Sequence, residues 1–437
     1  MEDRDMYEVT QKAVFDESTE AYKYTIFYPN QGSDLNGFSD LRIHVQGKDY
    51  HYHVANAYIV INGQLKHATG SGTYAGTEDI AIINNGPLYL FSKMTFRIAG
   101  RDIESVDFPG QTTSMILHSL FTAQVAKGDG LSMGWFPDSD KTCTSTNTGF
   151  VARKKYLFEG PDTKGKFSFR IPLKNVFGVC SDYDRVIFGY DLELVLIRQN
   201  DYFALFKKED TPGENTNVAL GKLELKSITL HMPVVTPAVG TQLKLLEIIK
   251  NKLPLTINFR ERCGQSIDIA VGLTTFDWQF STISLPKRPK YVFIGFQDQQ
   301  KTNQTGNYGL FTNANVARMS ISVNNTMVRL HEQQAADFSE MEFTEFYRSF
   351  LGVRQNLFGI DDRINISHIS PSLFKDVYSI FAFDLSKYRE QIVDQTVSTI
   401  LHVQFGSATT KALRCFVCVL CDKEVILQSD GKSIALV

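Results

Sequence analysis

The chain has 437 residues, of which 43% are hydrophobic, 12% aromatic and 21% charged, and its net charge is −3. This length favours two domains of roughly 200 residues each. A protein that grips phosphate backbones carries a basic surplus, and this chain has none, so we expect no tight direct binding of nucleic acid. The six cysteines are scattered or lie in strand-like runs, which favours reduced thiols.

The N-terminal sequence MEDRDMYEVTQKAVFDESTE is charged and unlike a signal peptide. No stretch approaches the roughly 20 apolar residues of a membrane-spanning helix, so we expect no membrane-spanning segment. These features favour a chain that acts in the cytoplasm or nucleus.

Strand patterns dominate, and the first legible one is DLRIHVQGKDYHYHV, residues 40–54. A two-residue turn at Gly47-Lys48 would make a hairpin with an apolar face and a polar face. The apolar face would pair Val45 with Tyr50, Ile43 with Tyr52, and Leu41 with Val54. The polar face would carry Arg42, His44, Gln46, Asp49, His51 and His53.

His44, His51 and His53 are the best metal candidates, because this hairpin places the first two opposite each other and the third next along the face. Arg42 and Asp49 are their neighbours, and the pattern shows no second shell of ligands. We favour a solvated or inter-sheet surface, and predict no metal and no cofactor.

The later strand patterns alternate with polar loops such as FPDSDKTCTSTNTG and KKEDTPGENTN. They include LYLFSKMTFRIAG with RDIESVD, KFSFRIPL, RVIFGYDLELVLIRQ, KLELKSITLHM, PLTINFRE, DIAVGLTTFDWQFSTI, KYVFIGFQ, RMSISVNNTMVRL, IFAFDLS, STILHVQFGS and LRCFVCVLCDKEVIL. Helical periodicity is rare; the best candidates are QTTSMILHSLFTAQ, TQLKLLEIIKNK and FTEFYRSFLG.

The segment LPKRPKYVFIGFQD, residues 285–298, joins a basic cluster to an apolar run. The basic residues are Lys287, Arg288 and Lys290. Pro286 and Pro289 punctuate them, which indicates the entry to a strand, where basic residues are usually solvated. We therefore favour a local role in contacts between assembled units over a direct DNA contact.

The chain also repeats itself weakly. MTFRIAGRDIES (94–105) aligns with MSISVNNTMVRL (319–330), and each copy leads from a hairpin pattern to a helix candidate. FSFRIPL and SIFAFDL form a second pair at a similar offset. Two such matches indicate a duplicated β domain.

No motif of nucleophilic, metal-dependent or phosphate chemistry is present, and we predict no catalytic residues. The acidic stretches SDYDR (181–185) and DFSEMEFTEF (338–347) are typical of a strand cap and a helix start. Cys415, Cys418 and Cys421 form a CxxCxxC run, but neighbouring members point to opposite faces of a strand. Buried, inert thiols are the favoured interpretation.

We therefore predict an all-β fold of two tandem eight-stranded jelly-roll β-sandwiches, a double jelly roll, with a few short inserted helices. The expected domains are an N-terminal arm (1–20), a first jelly roll (21–236), a helical connector (237–252) and a second jelly roll (253–437).

The chain resembles the double jelly-roll major capsid proteins of Polinton (Maverick) elements, adintoviruses and virophages. The resemblance covers roughly residues 80–405, with its landmarks in the expected order. They are INNGPLYLFSKMTFRIAGRDIESVDFPGQTTSMI, VFGVCSDYDRVIFGYDLELVLIRQND, GKLELKSITLHMPVVTPAVGTQLKLLEIIKNKLPLTINFRER, LPKRPKYVFIGFQ and SLFKDVYSIFAFDLSKYREQI.

The resemblance implies a non-enzymatic virion protein that forms a homotrimer, a capsomer with a hexagon-like outline. Neighbouring capsomers and a minor penton protein of single jelly-roll type would complete an icosahedral shell around a double-stranded DNA genome, assembled in the host cytoplasm or nucleus. Two alternatives stay open: a glycan-directed enzyme like peptide-N-glycanase, and a glycan-binding attachment protein. Either needs a cleft, and Trp135 and Trp278 are the only tryptophans available to line it.

Overall fold

The computed structural model describes most of the chain. The described ranges are 18–30, 34–47, 50–70, 72–160, 164–209, 217–251, 253–281, 289–299, 303–323, 326–329, 335–360, 365–387, 398–427 and 434–436. Within them the protein is built mainly of antiparallel strands.

Twelve strands of the described ranges precede residue 238. They are β1 (Thr19–Phe27), β2 (Asp40–Val45), β3 (His51–Tyr52), β4 (Tyr58–His67), β5 (Ile80–Ile82), β6 (Phe91–Ile98), β7 (Arg101–Asp107), β8 (Lys166–Pro172), β9 (Ile187–Phe188), β10 (Leu192–Arg198), β11 (Leu205–Lys207) and β12 (Gly221–Pro237). The later strands are β13 (Leu255–Ile269), β14 (Thr275–Ser281), β15 (Pro289–Asp298), β16 (Val316–Val323), β17 (Thr326–Arg329), β18 (Ile380–Asp384), β19 (Ser398–Phe405), β20 (Leu413–Leu427) and β21 (Ile434–Leu436).

The helices lie in the connections between strands. They are α1 (Pro109–Leu120), α2 (Ala123–Lys127), α3 (Gly130–Met133), α4 (Thr148–Phe158), α5 (Leu173–Val176), α6 (Gly178–Asp182), α7 (Val239–Lys250), α8 (Thr344–Phe358) and α9 (Pro371–Asp376). No helix in the described ranges is both long and apolar enough to cross a membrane.

Each half of the chain forms two main sheets with the same strand order, and β5 and β11 of the first half form a further two-stranded sheet. In the first half, sheet A1 contains β1, β12, β4 and β8, extended by β3 and β9, and sheet B1 has the order β2-β10-β6-β7. In the second half, sheet A2 has the order β13-β20-β15-β18, and sheet B2 has the order β14-β19-β16-β17. Both halves are therefore eight-stranded jelly rolls, and the predicted all-β double jelly roll is confirmed.

The weak sequence repeat corresponds to equivalent strands of the two rolls. The hairpin β6–β7 and helix α1 correspond to the hairpin β16–β17 and helix α8, and β8 corresponds to β18. The β6–β7 turn places both Ala99 (φ 47°) and Gly100 (φ 76°) in the left-handed region. Two positive φ angles identify a type I′ turn, which matches the twist of the strands that it joins.

The predicted hairpin over residues 40–54 is wrong. Strand β2 pairs with β10 in sheet B1, whereas β3 pairs with β12 and β9 in sheet A1. Leu41, Ile43 and Val45 do face the core, as their alternation indicates, but Tyr50 is 51% exposed. Alternation identifies the buried face of a strand, but it does not identify the partner strand.

Two apolar cores fill the rolls. The first lies mainly between A1 and B1, and it also includes Ile257, Phe259, Val425 and Leu427 from one end of A2. The second fills the later roll and includes Met115 and Ile116 of α1. The rolls therefore share apolar contacts at both places.

Helix α4 lies where the sequence predicted only a polar loop and its flank. The side chain of Asn147 accepts a hydrogen bond from the N–H of Phe150 at 3.2 Å, which caps the helix. Phe150 and Arg153 then bury one face of the helix against the first roll. Asn147, the capping residue, was the feature of the sequence that could have predicted the start of this helix.

Candidate functional site

The three histidines considered as metal ligands do not converge. His44 lies 3.9 Å from Asp191 on sheet B1, while His51 lies on A1 beside the ring of Phe188. His53 contacts Asp184 through Nε2 at 2.5 Å and the hydroxyl of Tyr22 through Nδ1 at 3.0 Å. In the part of the chain that the structure describes, no group of three or more His, Cys, Asp or Glu side chains could hold a metal ion.

Cys415, Cys418 and Cys421 lie buried along β20. Burial raises the pKa of the first two thiols, which therefore remain protonated and unreactive.

Two residues of the predicted basic cluster, Lys287 and Arg288, lie outside the described residues. Lys290 forms an ion pair with Asp422, which lies within β20.

The first roll covers the outer face of sheet A2. Strand β7 and helix α6 pack against β13, and helix α1 packs against β20 and β15. The approach is close: a Cβ atom at Gly178 would lie 1.8 Å from the carbonyl oxygen of Arg260, and one at Gly264 would lie 2.4 Å from that of Asp107. This junction fixes the two rolls against each other.

Glu104 of β7 is the polar centre of this junction. Its Oε1 accepts hydrogen bonds from the N–H groups of Gly178 at 3.0 Å and Arg262 at 2.9 Å, and its Oε2 accepts one from Val179 at 2.9 Å. Arg262 in turn donates to the carbonyl oxygens of Lys174 and Asn175. Burial raises the pKa of Glu104 to about 7, although Arg262 and the three N–H groups lower it.

Two further ion pairs flank this carboxylate. Arg260 contacts both carboxylate oxygens of Asp182 at 2.8 Å, a bidentate pair from the second roll to the first. Lys423 contacts Glu261 at 2.7 Å and also donates to the carbonyl oxygen of Ile103 on β7. Sequence analysis considered Asp182 only as part of the strand cap SDYDR and missed the other residues, although the charged run at the centre of β13 was a signal.

A second polar contact lies at α1. The buried guanidinium of Arg354 in α8 donates to the carbonyl oxygen of Ser119 at 2.9 Å, and His118 Nδ1 lies 2.8 Å from Nε2 of His368. Trp135 is 1% exposed and packs on His118. It therefore lines no open cleft for a glycan.

Among the residues that the structure describes, none covers the equivalent face of sheet A1 at β1. Strand β1 corresponds to β13, yet its residues are exposed along most of its length. We call the outward-facing residues Tyr22, Tyr24, Ile26, Tyr58 and His231 the aromatic face. The first three are 45–47% exposed, Tyr24 lies 5.4 Å from Tyr58, and Tyr58 stacks on His231 at 4.8 Å. Large apolar side chains exposed side by side are a common feature of interaction surfaces.

The helix that corresponds to α1, which is α8, is also covered on one side only by the described part of the chain. All of α1 except Leu120 is buried, because the second roll packs over it. In α8 only Phe346, Phe350, Val353, Arg354 and Leu357 are buried, and the opposite side is open. Within the described residues, the outer face of sheet A1 and the outer side of α8 therefore lack the cover that sheet A2 and α1 have.

A family model of the double jelly roll-like domain matches residues 143–426. The chain is a member of this family. No curated protein sequence matches significantly.

Solved structures of viral capsid proteins share the fold over nearly the whole chain. A chain of the Sputnik virophage is 10% identical with a TM-score of 0.62, and the match covers 100% of this chain and 92% of that one. The mavirus major capsid protein is 11% identical with a TM-score of 0.58, covering 99% and 93%. The faustovirus major capsid protein is 9% identical with a TM-score of 0.58, covering 97% and 93%.

Proposed function

We propose that this double jelly-roll protein is a major capsid protein, a structural subunit of an icosahedral virion shell that encloses a double-stranded DNA genome. The observation that carries this proposal is the fold, which extends over nearly the full length of the mavirus and faustovirus major capsid proteins. The polar junction between the rolls is a structural device and needs no cofactor.

The subunit forms a homotrimer. Within one chain, β7, α1 and α6 of the first roll cover the outer face of A2. The equivalent contact between chains would place β17 and α8 of one copy on the aromatic face of the next. Alternating these two junctions, each turning by about 60°, closes a ring of six rolls from three chains.

Two features support this inference. The aromatic face is rich in Tyr, a residue type that is enriched at protein interfaces. The open side of α8 is polar, with Glu345, Arg348, Gln355 and Asn356 exposed, so it can form hydrogen bonds with the hydroxyl groups of the tyrosines.

The domain limits, with a connector over 237–252 between the two rolls, are part of the proposal, and the position of α7 between β12 and β13 supports them.

Neighbouring capsomers and a minor penton protein of single jelly-roll type complete the shell. The basic cluster Lys287, Arg288 and Lys290 belongs to contacts of this class, and its replacement by Ser is expected to weaken shell assembly while trimers persist. Assembly takes place in the host cytoplasm or nucleus.

Native mass spectrometry of the purified full chain tests the trimer, and electron microscopy of expressed material tests the shell. We expect a species of three chains at micromolar concentration, and closed shells or hexagonal plates in images. A protein that remains monomeric and binds glycans on an array would instead be an attachment protein.

A further inference from the structure

Three polar side chains lie side by side on the outer face of sheet B2. Asp277 lies on β14, His402 on β19 and Ser322 on β16, which are consecutive strands of that sheet. The register places Asp277 directly opposite His402, and it places Ser320 on the other side of His402. Ser322 is therefore the diagonal neighbour of the imidazole.

The hydrogen bonds among them run in one direction. His402 Nδ1 lies 2.7 Å from Oδ1 of Asp277, and His402 Nε2 lies 2.6 Å from Oγ of Ser322. An ionised carboxylate only accepts hydrogen bonds, so Nδ1 carries the proton and Nε2 accepts the hydroxyl proton of Ser322. This is the arrangement in which an imidazole activates a serine and a carboxylate orients the imidazole.

We propose that Ser322 is a nucleophile that accepts acyl groups from activated esters, with His402 as its general base and Asp277 as a positioning residue. In the reaction the Ser322 oxygen forms a bond to the acyl carbon, and the bond from that carbon to the leaving alkoxide or phenolate breaks. The hydroxyl proton passes to Nε2 of His402, and from there to the leaving group or to water.

The sheet also limits the fate of the acyl group. Strand β16 has a hydrogen-bonded neighbour on each side, β19 and β17, so its N–H groups point along the sheet and not toward the acyl group. Without such donors a tetrahedral intermediate is poorly stabilised. Attack therefore requires an activated ester, and the acyl-serine is expected to persist and not to turn over. The site is accessible, because the side chain of His402 is 33% exposed.

Acetylation of the full-length protein by p-nitrophenyl acetate tests the proposal. Peptide mass spectrometry would give the rate of acetyl incorporation at each serine. Ser320 is the internal reference, because it lies on the same strand and face and is also partly buried. We expect Ser322 to react at least about tenfold faster than Ser320, and His402→Asn to slow the reaction at Ser322 by about a hundredfold, the scale of general base catalysis.

Asp277→Asn should also slow labelling of Ser322, while Asp277→Glu should retain part of the rate at an unchanged melting temperature. Ser320→Ala is the matched control and should leave labelling of Ser322 unchanged. Equal rates at the two serines, or a rate at Ser322 that is unchanged in folded His402→Asn protein, would overturn the proposal. Neither result bears on the capsid role, which is tested by assembly.

Discussion

Glu104 joins the two rolls by hydrogen bonds to backbone N–H groups. Some features of its environment favour the charged carboxylate, and others favour the neutral acid. Three N–H donors and Arg262 favour the carboxylate, whereas complete burial favours the neutral acid and raises the pKa to about 7. Because the folded pKa lies above the ordinary value of 4.5, the folded state holds a proton that the unfolded state releases between these pH values.

The contribution of Glu104 to stability is therefore fully present below about pH 4.5 and is lost as the pH rises through about 7. We expect Glu104→Gln, which cannot titrate, to remove this part of the pH dependence. The variant should also be less stable at pH 5, because its amide NH₂ faces an N–H donor at one of the two oxygen positions.

Urea unfolding of wild type and Glu104→Gln at pH 5 and pH 8 gives their free energies of unfolding. The effect is the change, between the two pH values, in the difference between these free energies. Asp102→Asn is a control, because Asp102 is 54% exposed in its pair with Arg97 and contributes at most about 1 kcal/mol. An identical pH dependence in wild type and Glu104→Gln would show that Glu104 has the same protonation in both states.

At the scale of single elements, the turn of the β6–β7 hairpin holds one residue in a conformation that costs free energy. Ala99 has a φ of 47°, a conformation that costs an L-residue other than Gly or Asn roughly 1–2 kcal/mol. We expect Ala99→Gly to raise the stability of the first roll by about 0.5–1 kcal/mol, because glycine adopts this angle without strain. Differential scanning calorimetry would show it as a higher unfolding temperature.

The control for this prediction is Ala123→Gly, at the first residue of the short exposed helix α2. Its glycine variant should lower stability or leave it unchanged, because glycine disfavours helix. A lower unfolding temperature for Ala99→Gly would contradict the type I′ assignment of the turn.

The elements differ in how far the sequence could predict them. Strands such as β16 and helices such as α8 follow from periodicity, since each buries one face. The hairpin over residues 40–54 was wrong because β2 and β3 are adjacent in sequence but lie in opposite sheets of a sandwich, and strand alternation is the same in both cases. The long-range partner β10 is about 150 residues away, and nothing local identifies it.

The polar contacts were harder to predict than the fold. Charged Arg260, Glu261 and Arg262 interrupt an otherwise ordinary strand pattern. Arg260 and Arg262 are explained by their contacts with the first roll, and Glu261 by its pair with Lys423 of β20. Ser322, His402 and Asp277 are far apart in sequence and have no motif spacing, so their contact depends on strand order and register alone. Such sites can be identified only when the strand order and register of the sheet are known.

At the scale of the whole molecule, the two rolls are equivalent in topology but not in exposure. Sheet A2 is covered within the chain, whereas sheet A1 exposes the aromatic face. We expect the double variant Tyr22→Lys with Tyr24→Lys to weaken the trimer strongly. Each substitution places a charge in a contact where aromatic side chains contribute about 2 kcal/mol or more.

Native mass spectrometry and analytical ultracentrifugation would follow this change, with the protomer concentration for half-assembly rising by more than about tenfold. Val271→Lys is the matched control, because Val271 is 58% exposed but lies in the β13–β14 connection and is not part of the aromatic face. Both variants should keep the strand content of wild type, since the altered side chains face outward. A trimer that survives the double variant would place the contact between chains on another surface, and the equivalence of the two junctions would then be wrong.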